Sequence, residues 1–578
     1  MPTTPLVIFV TSTTGQGEAP QNMRRFWRLL LRKSLPPDSL AHVRFAVFGL
    51  GDSGYVQFNF AAKRLDKRLS ALGGIRICDL GLGDDQHALG YEAALDPWLE
   101  ALWGSLRALH PLPPELADPP PAALEADEAN PAALLAALGP CKFTVRPSVA
   151  TAAQPQLTPV EAAEAFDALA GAREPGLATA YREARVAKNA LLTSAESAER
   201  REVRHIELSV ADAKQELEPG DAIGVLPAQT STAVCRFVER AGSPAGARVA
   251  VAPAGKPHME REFGVDELVS GALDIASASP RRFFFAVLAA HASDEAERER
   301  LAYFASAGGQ EDRWRYCERE RRSVLEVLED FPSSQPPLAW LLHACPRLRP
   351  RWFSLASAPA HEDAAANVHL TVAVAKWASP HGRQLRGLCS SFLASVAPGE
   401  TVSVTYQKGA LRLPLDAQTP IVLVGPGTGV APFRAFLRHR ANVARANGEG
   451  AVGPALLFFG CRHETEDFLY AGEWGPLESA GAFGAAGGGG GFCAAFSRDG
   501  PSKRYVTHLI REHGARVWAL LERGAAVYVA GAAEKMPTDV AGAFAAVAAA
   551  HGGAAPDQAA KYVQRLQAAR RYHTECWS

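Results

Sequence analysis

Apolar runs and glycine-containing turns alternate through the N-terminal part of the chain. The runs at 6–10, 45–48 and 75–80 have the length and composition of buried strands, and each is followed by a loop of small and polar residues. Apolar positions recur at helical spacing over 22–33 and 95–109. Alternating strands and helices predict one parallel sheet, whose loops share the carboxyl edge where such folds bind ligands.

The hydrophobic pattern changes its period in the middle of the chain. Segments 203–210 and 221–225 alternate between apolar and polar residues, as the strands of a barrel do. Apolar residues over 280–290, 296–307 and 321–330 return to helical spacing. This order predicts an antiparallel barrel that is interrupted by a block of helices.

The stretch 420–434, read as PIVLVGPGTGVAPFR, predicts a strand, a glycine turn and a helix. Its apolar run at 421–424 is typical of a buried parallel strand, and Pro432 falls in the first turn of the predicted helix. A strand that ends in a glycine turn at a helix N-terminus directs backbone N–H groups towards an anion. The runs at 455–459 and 527–531 predict further strands of the same sheet.

Residues 111–180 are dense in proline and alanine and show little periodicity. This composition predicts a linker that lets the first domain move. The predicted domains are therefore 1–110, 181–410 and 411–578. Three domains suit a chain of 578 residues, since single cores stop growing near about 250–300 residues.

Composition excludes several functional classes. A hydrophobic share of 47% and a charged share of 21% are those of a soluble globular protein. The net charge of −2 argues against a nucleic-acid partner, which would require a basic surface. The 9 cysteines form no C-x-x-C pair, which favours reduced thiols over disulfides or a metal site. With no apolar run long enough to span a membrane, we expect a cytoplasmic protein.

Three loop motifs of the first domain, T-T-G-Q-G, G-L-G-D-S-x-Y-x-x-F-N and G-D-D, resemble the flavodoxin-like FMN domain of the diflavin reductases. The resemblance implies FMN contacts from Ser12, Thr13, Thr14, Gly15, Leu50, Gly51, Asp52, Ser53, Gly54, Tyr55, Val56, Gln57, Phe58, Asn59 and Asp85. Thr14 stands where relatives have an aromatic residue. The motifs begin at the third strand of the flavodoxin sheet, so we expect roughly fifty residues with the phosphate loop to be missing and little FMN to bind.

Motifs farther along resemble the FAD domain of the same family. They are R-x-F-S at 351–354 and G-x-C-S at 387–390. The resemblance implies FAD contacts from Arg321, Arg351, Trp352, Phe353, Ser354, Gly387, Leu388, Cys389, Ser390 and Trp577. The chemistry agrees, because Arg351 supplies a forked donor for a pyrophosphate and Phe353 supplies a ring for the flavin. For Arg321, a solvated helix face is an equal alternative.

The pattern G-x-G-T-G-x-A-P resembles the NADP-binding turn of ferredoxin–NADP reductases. The resemblance implies NADP contacts from Thr428, Ser497, Arg498, Lys503, Arg504, Tyr505, Val506, Thr507 and Asp539. It also implies that the hydride-transfer residues are Ser354, Cys461, Glu575 and Trp577. The alternatives are a solvated basic turn for 497–505 and a core thiol for Cys461.

The domain order FMN, FAD, NADP is specific to diflavin reductases. The R-P-R-x-F-S form and the chain ending most resemble the members that serve cytosolic iron–sulfur protein assembly. This resemblance implies transfer of electrons from NADPH through FAD and FMN to an anamorsin-type iron–sulfur protein. Two alternatives stay open: a reductase for another acceptor, such as sulfite reductase or a P450, and a non-catalytic scaffold.

Overall fold

The computed structural model describes residues 5–14, 17–54, 57–87, 89–111, 130–148, 156–171, 181–210, 217–244, 246–358, 367–448, 450–533 and 535–577. The strands are β1 (Leu6–Ser12), β2 (Arg44–Gly51), β3 (Ile75–Arg76), β4 (Gly81–Asp84), β5 (Phe143–Pro147), β6 (Arg182–Leu191), β7 (Val203–Ser209), β8 (Ala222–Leu226), β9 (Arg248–Pro253), β10 (Arg261–Gly264), β11 (Arg351–Ser354), β12 (Asn367–Ala373), β13 (Lys376–Ala378), β14 (Gln384–Arg386), β15 (Thr401–Gln407), β16 (Ile421–Pro426), β17 (Ala455–Cys461), β18 (Gly491–Phe496), β19 (Ala526–Ala532) and β20 (Tyr572–Trp577).

The helices are α1 (Arg24–Leu30), α2 (Phe60–Ala71), α3 (Glu92–Leu109), α4 (Pro131–Ala137), α5 (Pro159–Leu169), α6 (Ala195–Ala198), α7 (Ser231–Arg240), α8 (Val265–Ala272), α9 (Arg282–Ala290), α10 (Glu295–Ala305), α11 (Gln310–Arg313), α12 (Val324–Asp330), α13 (Leu338–Ala344), α14 (Leu388–Ser395), α15 (Ala431–Asn447), α16 (Glu464–Asp467), α17 (Ala471–Ser479), α18 (Val506–Glu512), α19 (Gly514–Glu522), α20 (Met536–Gly552) and α21 (Pro556–Ala568). None of the helices in the described ranges is both long enough and apolar enough to cross a membrane.

The chain divides into two compact units. The first consists of 1–177, 230–348 and 379–381, and the second of 178–229, 349–378 and 382–578.

The first unit contains the parallel sheet that the N-terminal pattern predicts. Strand β2 pairs in parallel with β1, β3 and β4. The residues at 45–48 are fully buried, with α1 and α2 on one face of the sheet and Trp98 and Leu102 of α3 on the other. Parallel pairing with helices on both faces requires such a continuous apolar run.

The third predicted strand, 75–80, differs in the structure. Strand β3 ends at Arg76, and the chain enters the sheet again only at Gly81. A Cβ at Gly81 would lie 2.3 Å from the Phe48 ring, so this close approach requires glycine. The Trp98 indole donates to the Asp79 carbonyl at 2.8 Å and thereby holds the bend between the two strands.

Helices and a small antiparallel sheet, β10-β9-β5, complete the first unit. The predicted block appears as α9, α10 and α12, and α12 begins at Val324 because the Ser323 side chain caps it. Elements α4, β5 and α5 fall within the stretch expected to be a linker. Pro131 and Pro159 stand at helix starts, where proline is favoured, and Phe166 is fully buried.

The second unit contains a six-stranded antiparallel sheet in the order β11-β8-β15-β6-β7-β12. Its two outer strands meet, because the Ala356 N–H, just after β11, donates to the His369 carbonyl of β12 at 2.8 Å. Valine, leucine and isoleucine side chains from its strands fill the interior. This is the predicted barrel.

The same unit contains a parallel sheet in the order β18-β17-β16-β19-β20. Its central strand, β16, has no accessible surface at 421–424. Apolar cores cover both faces of this sheet. The predicted strand, glycine turn and helix are confirmed, with one short 3₁₀ turn, Gly427–Val430, between β16 and α15.

Candidate functional site

Three loops of the first unit meet at the carboxyl edge of its parallel sheet. The strand register places Ser12 beside Leu50 and Gly51 beside Asp84. The Thr13 N–H donates to the Leu50 carbonyl at 3.1 Å. The structure therefore brings together the three loops that the sequence predicts around FMN.

Asn59 braces these loops from within. It is fully buried, has a left-handed φ of 53°, and its side-chain amide donates to the Gly83 carbonyl at 2.8 Å. A Cβ at Gly49 or Gly51 would lie 2.5 Å or 2.8 Å from the Asn59 side-chain oxygen. The structural role of Asn59 is therefore to hold the loops in place.

Asp84 is a residue of this edge that the sequence analysis missed. Its Oδ1 accepts from the N–H groups of Ser53 at 2.8 Å and Gln86 at 3.0 Å. Burial opposes ionisation, yet these hydrogen bonds hold the pKa of Asp84 below its ordinary value. The predicted neighbour Asp85 is exposed, and its N–H donates to the Gly51 carbonyl at 2.8 Å. The G-D-D motif contains both acids and did not distinguish them.

The other residues predicted to contact FMN lie at the rim of these loops. Gly54 donates its N–H to Asp52 Oδ1 at 2.7 Å, and Thr14 pairs with Glu18 in a short bridge. Gln57 and Phe58 are half-buried. Three predicted residues lie outside the described ranges, namely Gly15, Tyr55 and Val56.

The glycine turn after β16 contains two glycines with different roles. Gly427 has a left-handed φ of 56° and no atom within 4 Å of a hypothetical Cβ, so its backbone is open to a ligand. A Cβ at Gly429 would lie 2.1 Å from the Ala530 carbonyl, so this glycine lets the turn pack against β19. Thr428 between them is half-buried in the 3₁₀ turn that leads into α15, and N–H groups at such a helix start favour a pyrophosphate.

Two neighbouring strands bring the predicted nucleotide residues into register. The N–H of Ser497 donates to the Cys461 carbonyl, and the N–H of Arg498 to the Arg462 carbonyl, both at 2.9 Å. Ser497 is half-buried and Arg498 is exposed.

Arg201, from the loop between α6 and β7, is a cationic residue that the sequence analysis missed. Arg201 is exposed, yet partial desolvation and then the positive charges of Arg462 and Arg498 lower its pKa. The carboxylate of Asp467 acts in the opposite direction and raises this pKa, so the positive charges near Arg201 are partly compensated. Cationic groups of this kind are suited to a phosphate group. The donors of this edge therefore fit NADP.

The basic turn before α18 is open to solvent. Lys503, Arg504 and Tyr505 are exposed, and the Arg504 guanidinium pairs with Glu512. Val506 is 5% exposed and packs in the core of the parallel sheet, so its side chain contributes to the core. Thr507 is half-buried in α18, and Asp539 is exposed in the first turn of α20.

A hydroxyl and a carboxyl meet where the barrel adjoins the parallel sheet of the same unit. Ser354 Oγ at the end of β11 donates to Glu575 Oε1 of β20 at 2.6 Å. Burial raises the pKa of Glu575, while the Ser354 hydrogen bond and the charge of Arg412 oppose this shift. Two residues later, Trp577 keeps 36% of its surface exposed at the end of β20. Sequence had predicted these three residues for one site.

Cys461 ends β17 and is half-buried. Burial raises the pKa of its thiol, and the nearby carboxylate of Asp467 raises it further. Its Sγ lies 3.5 Å from the His463 carbonyl. The thiol therefore stays protonated, which excludes a thiolate nucleophile at neutral pH.

Strand β11 presents the residues predicted for the flavin. Arg351 is half-buried, and one of its N–H groups donates to the Arg349 carbonyl at 2.6 Å. The Trp352 ring packs over Gly224, and Phe353 is half-buried against the barrel core. Part of each side chain therefore remains accessible on this strand.

The G-x-C-S motif forms the N-terminus of α14. Gly387 donates its N–H to the Ala375 carbonyl at 2.9 Å, and Ser390 Oγ accepts from the Ala375 N–H at 3.1 Å. Cys389 is buried, which raises the pKa of its thiol to about 12. The side chains of Cys389 and Ser390 thus make contacts within the protein, and the helix begins at Leu388. First-turn N–H groups of this kind suit the phosphates of FAD.

Arg321 lies in the first unit and not on a helix. It has a left-handed φ of 52° in the turn before α12, and its side chain is exposed. Its role towards FAD stays a prediction.

One cluster brings possible metal ligands together. Ligand atoms of His205, Glu207 and His369 lie within 4.8 Å of one another. His369 Nδ1 lies 3.1 Å from an N–H group of Arg434, and because a guanidinium only donates, the proton of this imidazole is on Nε2. Burial, followed by the charge of Arg434, lowers the pKa of His205 to about 4 and that of His369 to about 2. These contacts favour a hydrogen-bonded cluster over a cation site.

Comparisons with known proteins agree with this architecture. The flavodoxin family model matches residues 1–98, the FAD binding domain 176–392, and the oxidoreductase NAD-binding domain 423–542. The NADPH-dependent diflavin oxidoreductase 1 of Arabidopsis thaliana is 41% identical, over 99% of this chain and 91% of its own length. The proteins of that name from Bos taurus and Schizosaccharomyces pombe are 38% and 32% identical, over 99% of this chain and over 92% and 91% of their own lengths.

The three domains define a diflavin reductase, with flavodoxin, FAD-binding and NADP-binding parts. The chain belongs to the NADPH-dependent diflavin oxidoreductase 1 family. The predicted fold class, enzyme class and cofactors FAD, FMN and NADPH are confirmed. Weak FMN binding stays a prediction.

Proposed function

We propose that this enzyme, located in the cytoplasm, passes electrons from NADPH to an anamorsin-type iron–sulfur protein during cytosolic cluster assembly. When bound, the flavins accept a hydride and release single electrons, and the protein positions them. The hydrogen bond between Ser354 and Glu575, in the unit that holds the glycine turn and the cationic edge, is the observation that carries the redox part of this proposal. The acceptor rests on the motif resemblance and on similarity to family members along nearly the whole chain.

Ser354, Glu575 and Cys461 act in this proposal as orienting groups. Ser354 Oγ, held by Glu575, would face the flavin, and the neutral Cys461 thiol would face the nicotinamide. The partly exposed Trp577 would stack on the flavin ring and would yield this place to the nicotinamide. Misplacement of the reacting atoms costs about a hundredfold in rate. Cys461→Ala and Ser354→Ala should therefore slow flavin reduction about tenfold to a hundredfold, with little change in the Kd for NADP.

Stopped-flow reduction with 4-deuterated NADPH tests these roles. The primary isotope effect should grow in each variant as hydride transfer becomes limiting, and the double variant should be less than additive. A Cys461→Ala protein with a lower melting temperature and a wild-type reduction rate would make Cys461 a core thiol only.

The nucleotide is NADPH rather than NADH in this proposal, because Arg498, Lys503 and Arg201 supply cations for the 2′-phosphate. Charge-assisted contacts of this kind are worth about 1.5–3 kcal/mol. Arg498→Ala should therefore raise the KM for NADPH about tenfold or more and leave the KM for NADH nearly unchanged. Arg511→Ala, at an exposed position on α18, is the control and should change neither. Equal loss with both nucleotides would make Arg498 structural.

The acceptor is tested by direct reduction. The purified enzyme with NADPH should reduce an anamorsin-type iron–sulfur protein faster than a sulfite reductase haemoprotein or a P450. All three should fail when NADPH is omitted. Preference for either of the other acceptors would replace the proposed one, and cell fractionation would test the cytoplasmic location.

A further inference from the structure

A buried arginine lies one turn beyond the glycine turn. Arg434 of α15 is 2% exposed, and one of its N–H groups donates to the Ala356 carbonyl at 2.6 Å. Its Nε and the other terminal nitrogen donate to both carboxylate oxygens of Glu473 at 2.8 Å. The guanidinium also lies 4.5 Å from the centroid of the Tyr470 ring. A buried charge with this many partners fixes its surroundings, because loss of any partner leaves the charge poorly compensated.

The Ala356 contact connects Arg434 to the end of β11, where Ser354 lies. Ala356 lies two residues beyond Ser354, and its N–H donates to the His369 carbonyl of β12 at 2.8 Å. The His369 N–H in turn donates to Ser357 Oγ at 3.0 Å. Arg434 contacts both partners of this pairing between the end of β11 and β12. It donates to the Ala356 carbonyl and lies 3.1 Å from His369 Nδ1.

The Glu473 and Tyr470 contacts connect Arg434 to the part of the chain that follows Cys461. Both residues belong to the segment that follows Cys461 at the end of β17. The Tyr470 hydroxyl lies 2.7 Å from Thr371 Oγ1 and 3.0 Å from His205 Nδ1, so this segment is itself anchored to the barrel strands. Burial raises the pKa of Tyr470 to about 12, which keeps its hydroxyl protonated.

We propose that Arg434 is a positioning residue for hydride transfer. Its guanidinium joins the helix that begins at the glycine turn, the segment after Cys461 and the strand end that carries Ser354. It thereby sets the distance between the nicotinamide and the flavin without contacting either. This inference rests on the proposed roles of Ser354 and Cys461.

The expected effects separate rate from affinity. A shift of about 1 Å in the reacting atoms can cost about a hundredfold in rate. Affinity for 2′,5′-ADP, which lacks the nicotinamide, depends on the distant phosphate contacts. Arg434→Lys should therefore slow flavin reduction severalfold, and Arg434→Met should slow it about thirtyfold to a hundredfold. Both variants should bind 2′,5′-ADP within twofold of the wild type.

Arg440 provides a matched control on the same helix. It is 3% exposed, and it donates to the carbonyls of Ala482 and Gly453, which both lie in the nucleotide-binding part. Arg440→Met removes an equally buried guanidinium from α15. It should lower the melting temperature while leaving the hydride geometry unchanged.

The experiment uses the full chain loaded with flavins and has two readouts besides activity. One is calorimetric titration with 2′,5′-ADP. The other is the long-wavelength charge-transfer absorbance that appears when NADP⁺ stacks on the chemically reduced flavin. Arg434 variants should lose this band and show a larger isotope effect with 4-deuterated NADPH, whereas Arg440→Met should keep both at wild-type values.

Two results would overturn the proposal. One is a wild-type band and reduction rate in folded Arg434→Lys, and the other is an equal loss in Arg440→Met. If Arg434→Met does not fold, Glu473→Gln keeps the cation, weakens its hold and must change the band and the rate in the same direction. A wild-type protein that NADPH does not reduce would instead refute the proposed function.

Discussion

The described residues form a flavodoxin-like parallel sheet and a nucleotide sheet, and each has its predicted ligand loops at the carboxyl edge, yet the two sheets are built differently. In the nucleotide sheet, the residues at 421–424 of β16 have no accessible surface, with neighbouring strands on both sides. In the flavodoxin-like sheet of the described residues, β1 is an outer strand, and its Ile8 and Val10 are 43% and 60% exposed. The nucleotide sheet is therefore the better-buried scaffold.

The loops of the two edges are also held by opposite means. A buried side chain, Asn59, braces the flavodoxin-like loops from inside. In the nucleotide sheet the absence of a side chain at Gly429 lets the turn contact β19 directly. A side-chain brace can be weakened in steps, whereas backbone packing tolerates no added atom. The two edges should therefore respond differently to substitution.

The largest effect should follow from Gly429→Ala. The added Cβ would lie 2.1 Å from the Ala530 carbonyl, well inside contact distance, so the turn must shift. Overpacking of this kind costs about 1–3 kcal/mol, occasionally more, and we expect at least the upper end of this range because the contacted atom belongs to the backbone. Chemical denaturation should show this loss, and calorimetry should show weaker NADP⁺ binding.

Gly472→Ala in α17 is the control for that substitution, because nothing lies within 4 Å of its Cβ position. It should leave both stability and NADP⁺ affinity near wild type. Unchanged NADP⁺ affinity in Gly429→Ala would mean that the turn is not held by its contact with β19.

An intermediate effect should follow from Asn59→Ala in the flavodoxin-like edge. The change removes the hydrogen bond to Gly83 and leaves alanine at a left-handed φ of 53°, which asparagine tolerates better than alanine. Leaving a buried partner unsatisfied costs about 1–3 kcal/mol. Hydrogen exchange should report the loss in β2 and β4, with β16 and β17 unaffected.

Asn59→Gly separates the two contributions, since glycine accepts the left-handed backbone. It should recover part of the stability that alanine loses. If glycine and alanine are equally destabilising, the hydrogen bond alone accounts for the effect.

Much of this fold follows from local pattern. The run at 421–424, the glycine turn and the proline in the first turn of α15 are read from one stretch because each is a local signal. The stretch 111–180 shows the limit of composition. Its prolines at 131 and 159 begin helices, and Phe166 is buried in a core that includes distant residues such as Phe143 and Phe263.

The candidate site likewise contains residues that sequence motifs predicted and residues that they missed. Motifs predicted that Ser354 and Glu575 share a site, and the structure places them 2.6 Å apart. Arg201 and Arg434 were missed, because a lone arginine in a loop or helix has no sequence signature. Their roles depend on what surrounds them: other guanidinium groups for Arg201, and a distant carbonyl for Arg434. The stretch that contains Arg434 predicted a strand, a glycine turn and a helix start, but it assigned no role to the arginine itself.

The smallest effect should be a difference in the pH dependence of the two edges. Burial raises the pKa of Glu575 above its ordinary value of 4.5, so the folded protein holds this proton more tightly than the unfolded chain. Glu575 therefore contributes stability that is present at low pH and is lost as pH rises from 4.5 through its folded pKa. Asp84 has the opposite sign, because its pKa is lowered from 3.8, and its contribution is lost only as pH falls below that value.

Between pH 5 and 7, Glu575→Gln should therefore gain stability relative to wild type as pH rises. The difference in unfolding free energy between Asp84→Asn and wild type should stay constant over this range. Chemical denaturation at several pH values measures both. Ser354→Ala sharpens the test, because its hydroxyl lowers the pKa of Glu575, and removing it should extend the slope to higher pH. A stability difference between Glu575→Gln and wild type that does not change with pH would mean that Glu575 ionises in the folded protein as readily as in water. The Ser354 hydroxyl would then donate to a charged carboxylate at the proposed hydride-transfer site.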